Sequence, residues 1–516
     1  MRRPLNSKNA RANALSVPKT VQSPVGGLNS RDPLAKMRPE DALILENFIC
    51  RPVLVELRAG QASYGSIPVA NAQVESLLPY RNGASGKLFA GTSFGIYNTS
   101  VAGVATLEIA CTDGKWISVN SANAGIRYLV MVNGVDLPLF YNGTIWQTSV
   151  ITGISDSKLL NTIHQHSFRL FFTEEGTLSF WYLPVNSVQG VVAEFPLGAL
   201  FTKGGALQAI GSWTVDNGTG SDDLAVFITS EGELAVYRGT DPSNAATWAM
   251  VGVYELPKPI GKNCFYRLGG ELLVITESGL VSVSKLLQSV AIDRTSSLSD
   301  KTRGEISTLA TAFKGVFGWE LLRYSPEDVL ILNIPNSTQT GTVQMVMNTL
   351  TGAWSKFTGM PANCFAEFNG NLYYGGNAVV VQALTGQSDF GNNIVGKVKT
   401  AFNYFGYGIR QKHVKLLRPN FHVSKKLSVS FALSTNFQVY DVISQSSTTP
   451  NGVSLWDVST WDQSYWVGDS FTDDQWRTVA QKPGYCIALL LQINDKDVSF
   501  QWFATDYLLG LGNLLG

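Results

Sequence analysis

The side chains best placed to do chemistry in this 516-residue chain are aromatic rather than ionisable. Trp456, Trp461, Trp466 and Trp476 fall within SLWDVSTWDQSYWVGDSFTDDQW. Indoles offer a large apolar face and one N–H donor, which suits a sugar ring or a partner surface. The five-residue steps put successive rings on opposite faces of a strand and well round a helix. The run therefore reads as a turn-rich loop whose indoles either plug gaps beneath it or bind a partner. His164 and His166 share one strand face at i, i+2, but no Cys, His or carboxylate set with metal-ligand spacing accompanies them, so the pair reads as structural. Glu174 and Glu175 sit at a hairpin tip, where solvated turn residues are expected. The acidic stretch Asp216, Asp222, Asp223, Glu231 and Glu233 contains no basic residue and repels phosphate. The chain reads as having no G-x-S-x-G elbow, H-E-x-x-H or phosphate-loop pattern, and Asp473-Asp474-Gln475-Trp476 is a single distant echo of the Asp boxes of hydrolytic propellers. No catalytic residue, cofactor or metal site is assigned.

The elements that must position these residues are hairpins. Pairs of strand-like runs joined by turns, most often around glycine, cover Lys87–Ser100, Arg127–Trp146, Phe168–Leu183, Leu224–Arg238, Glu271–Ser284, Asp328–Phe357 and Asn371–Leu384. Their starts lie about 40 to 57 residues apart, the period of β-propeller blades. KWISVN (115–120), ATWAMVGVYEL (246–256) and FAEFNG (365–370) supply further strands. The expected fold is all-β: a β-propeller of six or seven blades over 61–390, an N-terminal arm and docking segment over 1–60, and an antiparallel β-sandwich over 391–516 carrying the tryptophan loop. Residues 1 to about 25 read as a basic flexible arm, Pro39-Glu40-Asp41 before ALILENF reads as a helix start, and VLVELR (53–58) reads as a strand entering the disc.

Hydrophobic residues make up 45% of the chain and charged residues only 15%, with formal net charge +0. So little charge on a chain this long predicts a surface largely buried against other subunits. The zero balance gives no sign of nucleic-acid grip, although Arg2–Lys19 and Arg410–Lys426 are basic runs without acids. Five scattered cysteines with no C-x-x-C read as reduced thiols. No apolar signal region and no membrane-spanning run occurs, so the chain is expected to be made in a cytoplasm and to carry no membrane anchor.

Two segments resemble a family. One is Gly26-Gly27-Leu28-Asn29-Ser30-Arg31-Asp32-Pro33-Leu34 with Met37, Pro39-Glu40-Asp41-Ala42 and Asn47. The other is Leu455-Trp456-Asp457, Trp461-Asp462, Trp466 and Gln475-Trp476-Arg477 with the ending Gln501-Trp502-Phe503-Ala504-Thr505-Asp506-Tyr507. Together they cover about a fifth of the chain. They are similar to structural proteins of short-tailed bacteriophages, and the whole plan resembles the tail nozzle, or packaged-DNA stabilisation, proteins of P22-like phages. The resemblance implies a virion tail protein in a homo-hexameric ring beneath a tail adaptor, with tailspikes or tail fibres and a tail-tip plug attached. Such a ring retains the packaged double-stranded DNA and conducts it at ejection without sequence-specific binding, and it has no catalytic site. On that reading Gly26, Gly27, Leu28, Asn29, Arg31 and Asp32 dock to a neighbour or the adaptor, and the acidic stretch faces the lumen. The alternative is a glycan-binding propeller module, with the tryptophan loop as its site. A third reading, a hydrolytic propeller, lacks motifs.

Overall fold

The computed structural model describes residues 16–123, 125–216, 221–288, 297–336, 342–425, 427–438, 444–447, 471–473, 475–479 and 481–512. Each expected hairpin lies within one set of three or four antiparallel strands, and seven such sets follow one another along residues 58–392 as blades. Blade 1 is Ser76–Tyr80, Lys87–Thr92, Gly95–Asn98 and Thr106–Ile109; blade 2 is Ile117–Asn123, Ile126–Val132, Leu139–Tyr141 and Trp146–Thr148. Blade 3 is Leu160–His166, Arg169–Glu174, Ser179–Tyr182 and Ala193–Pro196; blade 4 is Leu207–Asp216, Ser221–Thr229, Glu233–Arg238 and Ala249–Glu255. Blade 5 has three strands, Phe265–Leu268, Glu271–Thr276 and Gly279–Ser282. Blade 6 runs through Glu320–Tyr324, Val329–Ile334, Val343–Asn348 and Trp354–Phe357. Blade 7 takes Cys364–Phe368, Asn371–Gly375 and Val379–Ala383 from the end of the unit and Gln61–Ser66 from its beginning, so that the first strand closes the last blade. The first strand of each blade packs beside those of the neighbouring blades, from blade 1 round to blade 7 and back. The expected β-propeller is therefore borne out, with seven blades.

The second strands read as unbroken apolar runs because both of their faces meet a neighbouring blade. Val329–Ile334 is buried at every position. Aromatic residues fill the wedges between blades: Phe89 meets Tyr141 at 4.9 Å across blades 1 and 2, and Phe180 stacks on Phe227 at 4.5 Å across blades 3 and 4. Burying each such ring contributes about 1.5–3 kcal/mol. A helix at Arg303–Phe313, absent from the sequence reading, precedes blade 6; it buries Ile306 and Ala310, one turn apart, and pairs Glu305 with Lys356 at 2.7 Å.

The closure is held by more than the strand ladder. Arg58, with its side chain fully buried, donates from Nη1 to Asp389 Oδ1 at 2.9 Å and from Nη2 to Asp389 Oδ2 at 2.6 Å. It also reaches the carbonyls of Ala59 and Thr358. The Tyr374 hydroxyl donates to Gln61 Oε1 at 2.7 Å. Gly60 must be glycine because a Cβ there would lie 2.0 Å from the Ser388 carbonyl oxygen.

Residues 1–57 and 393–516 form the other unit. One of its sheets joins Phe48–Cys50, Val55–Leu57, Phe500–Leu511, Lys412–Val423 and Phe471–Asp473, with Ser16–Gln22 along Phe500–Leu511. The other joins Gly27–Leu28, Asp41–Glu46, Ile394–Thr400, Ile487–Asp495, Ser428–Thr435 and Ser444–Ser447. Phe421 stacks on Phe431 between the two sheets at 6.2 Å, as in a β-sandwich.

Three expectations for the N-terminal segment are corrected. Residues 16–22 are not a free arm: SVPKTVQ pairs in register from Ser16 opposite Gly510 to Gln22 opposite Ala504, with Val17, Lys19 and Val21 on the half-buried side. Residues 1–15 lie outside the described residues. Pro39-Glu40-Asp41 starts no helix; Asp41–Glu46 is a strand between Gly27–Leu28 and Ile394–Thr400, because distant partners outweigh local propensity. Val55–Leu57 does not enter the disc but pairs with Phe48–Cys50 and Phe500–Leu511.

Candidate functional site

The inner strands of the propeller bring their C-terminal ends together. Arg81, just past the inner strand of blade 1, Asn120–Ala122 of blade 2 and Gln165 of blade 3 line one pocket of about 340 Å³, joined by Arg127, Phe168 and Asn186. Residues at the opposite ends, among them Glu75, Trp116, Glu320 and Cys364, border a second cavity of about 100 Å³. Between these ends His164, Ser212, Lys262, Phe265 and Arg267 border a third, of about 280 Å³.

His164 and His166 meet on a single hydroxyl. Ser212 Oγ lies 2.9 Å from His164 Nε2 and 2.8 Å from His166 Nδ1, and His166 Nε2 lies 3.0 Å from the Gly239 carbonyl oxygen. One proton arrangement satisfies all three: His166 donates to Gly239, accepts from Ser212, and His164 donates to Ser212. Burial, and then the neighbouring His166, push His164 down to about 4. Burial also lowers His166. Both imidazoles are neutral at pH 7, no carboxylate orients His166, and the trio stitches blade 3 to blade 4.

At the start of blade 6, burial pushes Glu320 up to about 8, against the backbone N–H of Phe365, which donates to its Oε1. That contact joins blade 6 to blade 7. Among the described residues no group of three or more His, Cys, Asp or Glu is placed to hold a metal ion. All five cysteines are unpaired thiols. Gly91-Thr92-Ser93-Phe94-Gly95 matches the G-x-S-x-G pattern, which the sequence reading missed. It forms the turn between two strands of blade 1, not a strand-to-helix elbow.

The acidic residues do not form one cluster. Asp216 and Asp222 lie in the paired strands beside the first turn of blade 4, and Asp223 faces Thr214, whose hydroxyl donates to it at 2.5 Å. Glu231 and Glu233 lie at the far end of Ser221–Thr229, roughly 25 Å away at strand rise. Glu231 pairs with Lys258 at 2.7 Å. Glu233 is buried and accepts the N–H groups of Thr202 at 2.9 Å and Lys203 at 2.8 Å. Desolvation opposes its ionisation, and those donors outweigh it, holding the carboxyl below its usual range. It is a loop anchor.

The docking segment is a folded turn. Gly26 packs where a Cβ would lie 2.4 Å from Asp41 Oδ1, and Gly27 adopts φ +83°. Leu28 is buried. Asn29, also buried, donates to Asp32 Oδ2 at 2.9 Å and to Asp41 Oδ2 at 2.8 Å, while its Oδ1 accepts the N–H groups of Arg31 and Asp32. Arg31 pairs with Asp32 at 2.7 Å. Gly26, Leu28 and Asn29 thus shape the turn, and Ser30, Arg31, Pro33 and Leu34 form its exposed rim.

Trp456, Trp461 and Trp466 lie outside the described residues. Trp476 is exposed on the sandwich, with the Arg418 guanidinium 5.1 Å from its ring centre. Arg418 in turn donates to Asp506 Oδ2 at 2.8 Å.

The sequence matches no family model and no curated protein. Among solved structures, the propeller protein YCF48 bound to D1 peptide aligns at 11% identity with a TM-score of 0.35, over 61% of this chain and 93% of that one. A glycoside hydrolase family 43 arabinoxylan arabinofuranohydrolase from Bacillus subtilis, in complex with cellotetraose, aligns at 9% identity and 0.26, over 87% and 96%. A quinonprotein alcohol dehydrogenase-like protein from Bacteroides thetaiotaomicron aligns at 9% and 0.31, over 55% and 66%. All three are propeller proteins of differing function, and likeness at this level says nothing about what this chain binds or does.

Proposed function

We propose that the chain is a structural subunit of a bacteriophage tail: a nozzle protein that assembles as a homo-hexameric ring, continues the channel below a tail adaptor, retains the packaged genome and conducts it at ejection. The observation that carries this reading is the apolar rim of the propeller. Edge strands normally carry charge to prevent association. Here the outer strands of blades 1 and 4 expose Leu107 (55%) and Met250 (50%), the short strand Gly103–Val104 along blade 7's Gln61–Ser66 exposes Val104 (72%), and the segments between blades 2 and 3 and before the last strand of blade 3 expose Val150 (61%) and Val191 (67%). Burying each of these contributes about 1.5–3 kcal/mol, enough together to offset an association cost of roughly 4–15 kcal/mol. The low overall charge and the resemblance of the two end segments to phage tail proteins support the same reading. In it, the exposed rim around Arg31 and Leu34 meets the adaptor or a neighbouring subunit, tailspikes or fibres and a tail-tip plug attach to the ring, and DNA passes without sequence-specific contacts. Asp216, Asp222 and Asp223 are the proposed acidic part of the lumen. Mass photometry of the purified chain, with and without the head–tail connector, tests the assembly. A six-subunit species that Val104→Lys with Met250→Lys converts to monomer supports the proposal; a monomer under both conditions contradicts it.

A further inference from the structure

We propose that the pocket at the propeller mouth, across blades 1 to 3, binds a sugar residue bearing a carboxylate. The pocket of about 340 Å³ is lined by Arg81, Asn120, Arg127, Gln165, Phe168 and Asn186 among others, at the small end of the usual range for ligand sites. Arg81 and Arg127 have no ion-pair partner among the described residues. Two unpaired guanidiniums beside one cavity present the forked donors that hold a carboxylate. The pocket is built. Asn120 Oδ1 accepts the Arg81 backbone N–H at 2.9 Å, and its Nδ2 donates to the Pro79 carbonyl at 2.9 Å, tying the end of blade 1 to blade 2. The side-chain amides of Gln165 and Asn186 form no hydrogen bond with described residues and are free to meet hydroxyl groups.

Phe168 supplies the remaining observation. The two-residue loop between Leu160–His166 and Arg169–Glu174 puts Ser167 at φ +45° and Phe168 at φ +62°. Such turns favour Asn-Gly, because a bulky side chain is strained in the left-handed region. Phe168 is nonetheless 69% exposed, and the Asn186 N–H donates to its carbonyl at 2.8 Å. Strain of this kind persists where function needs it. An exposed ring at the edge of a polar, cationic pocket matches the apolar face of a pyranose, with amides for its hydroxyls and arginines for its acid group. A peptide would instead need apolar side-chain pockets or a free strand edge, and this pocket offers neither.

Isothermal titration of the full chain with glucuronic acid, glucose, inorganic phosphate and an oligoglutamate peptide tests the site. Saturable glucuronate binding is expected, with glucose about tenfold weaker or worse, matching the loss of one charged contact. Arg127→Gln and Phe168→Gly are each expected to weaken glucuronate by about tenfold or more, while Phe168→Gly raises the melting temperature because glycine tolerates the turn. This opposite movement of affinity and stability is not produced by a merely structural phenylalanine. The inference is overturned by no saturable glucuronate signal, by phosphate, glucose or oligoglutamate binding as tightly as glucuronate, or by unchanged glucuronate affinity in both variants. Because the readout needs only the propeller mouth, its failure leaves ring assembly unaffected.

Discussion

Removing the Asp389 carboxylate tests how the propeller closes. Arg58 is held by two charge-assisted hydrogen bonds, of 2.9 and 2.6 Å, and its side chain has no solvent exposure. Asp389→Ala leaves that buried guanidinium without its carboxylate, at a cost of about 3–5 kcal/mol. The double variant Arg58→Met, Asp389→Leu removes both charges of the pair together. It sacrifices donors to the Ala59 and Thr358 carbonyls, about 1 kcal/mol each. The double variant is therefore expected to be more stable than the single one by about 1–3 kcal/mol. Urea unfolding followed by tryptophan fluorescence measures both. Hydrogen exchange adds a local readout: the amides of Gln61–Ser66, which pair with Val379–Ala383, should lose protection first. A cost below about 1 kcal/mol for Asp389→Ala, or a double variant less stable than the single, would refute the closure described here.

Other consequences are equally measurable. Glu320, at about 8, keeps its proton in the folded state while an unfolded carboxyl loses it above about 4.5. Folding stability from this residue therefore falls as pH rises from about 4.5 to 8, by about 2–4 kcal/mol given that Glu320 borders a cavity. Glu320→Gln should gain on the wild type across that window in pH-dependent urea midpoints. His164, pushed to about 4, has the opposite effect: stability is lost as pH falls from about 6.5 to 4. His164→Gln should flatten the acid limb of the same curve, and an unchanged limb would contradict the neutral pair. Asn29→Ala leaves Asp41 with one donor fewer in a buried turn and should cost about 1–3 kcal/mol in thermal unfolding of the sandwich.

What the sequence revealed follows from which faces of each strand are buried. The seven hairpins were legible because their strands are packed on both sides and punctuated by turns such as Glu231-Gly232 and Ser278-Gly279, with Gly232 at φ +86° and Gly279 at φ +110°. The inner strands mostly escaped notice: LNTIHQH and LQAIGSWTVD intersperse polar residues among apolar ones, so neither a clean alternation nor an apolar run appears. Gln61–Ser66 has no local cue at all, since its partner lies more than three hundred residues away. Asp41–Glu46 misled because a proline and two acids mimic a helix start. The mouth pocket was hidden for a different reason. Ser167-Phe168 lacks the glycine or asparagine that marks a two-residue turn, and the only available signal was the two-residue gap between two β-rich runs. The acidic stretch appeared as one patch because sequence proximity ignores the length of the strand that separates its two halves.

The most direct test of the tail-nozzle reading is cryo-electron microscopy of the chain bound to the head–tail connector it copurifies with. A six-fold ring of seven-bladed propellers around an open channel, with the short strand Gly103–Val104 and the outer strands of blades 1 and 4 buried between neighbours, is the expected result. A single copy with those strands facing solvent, and no ring in any particle, would contradict it.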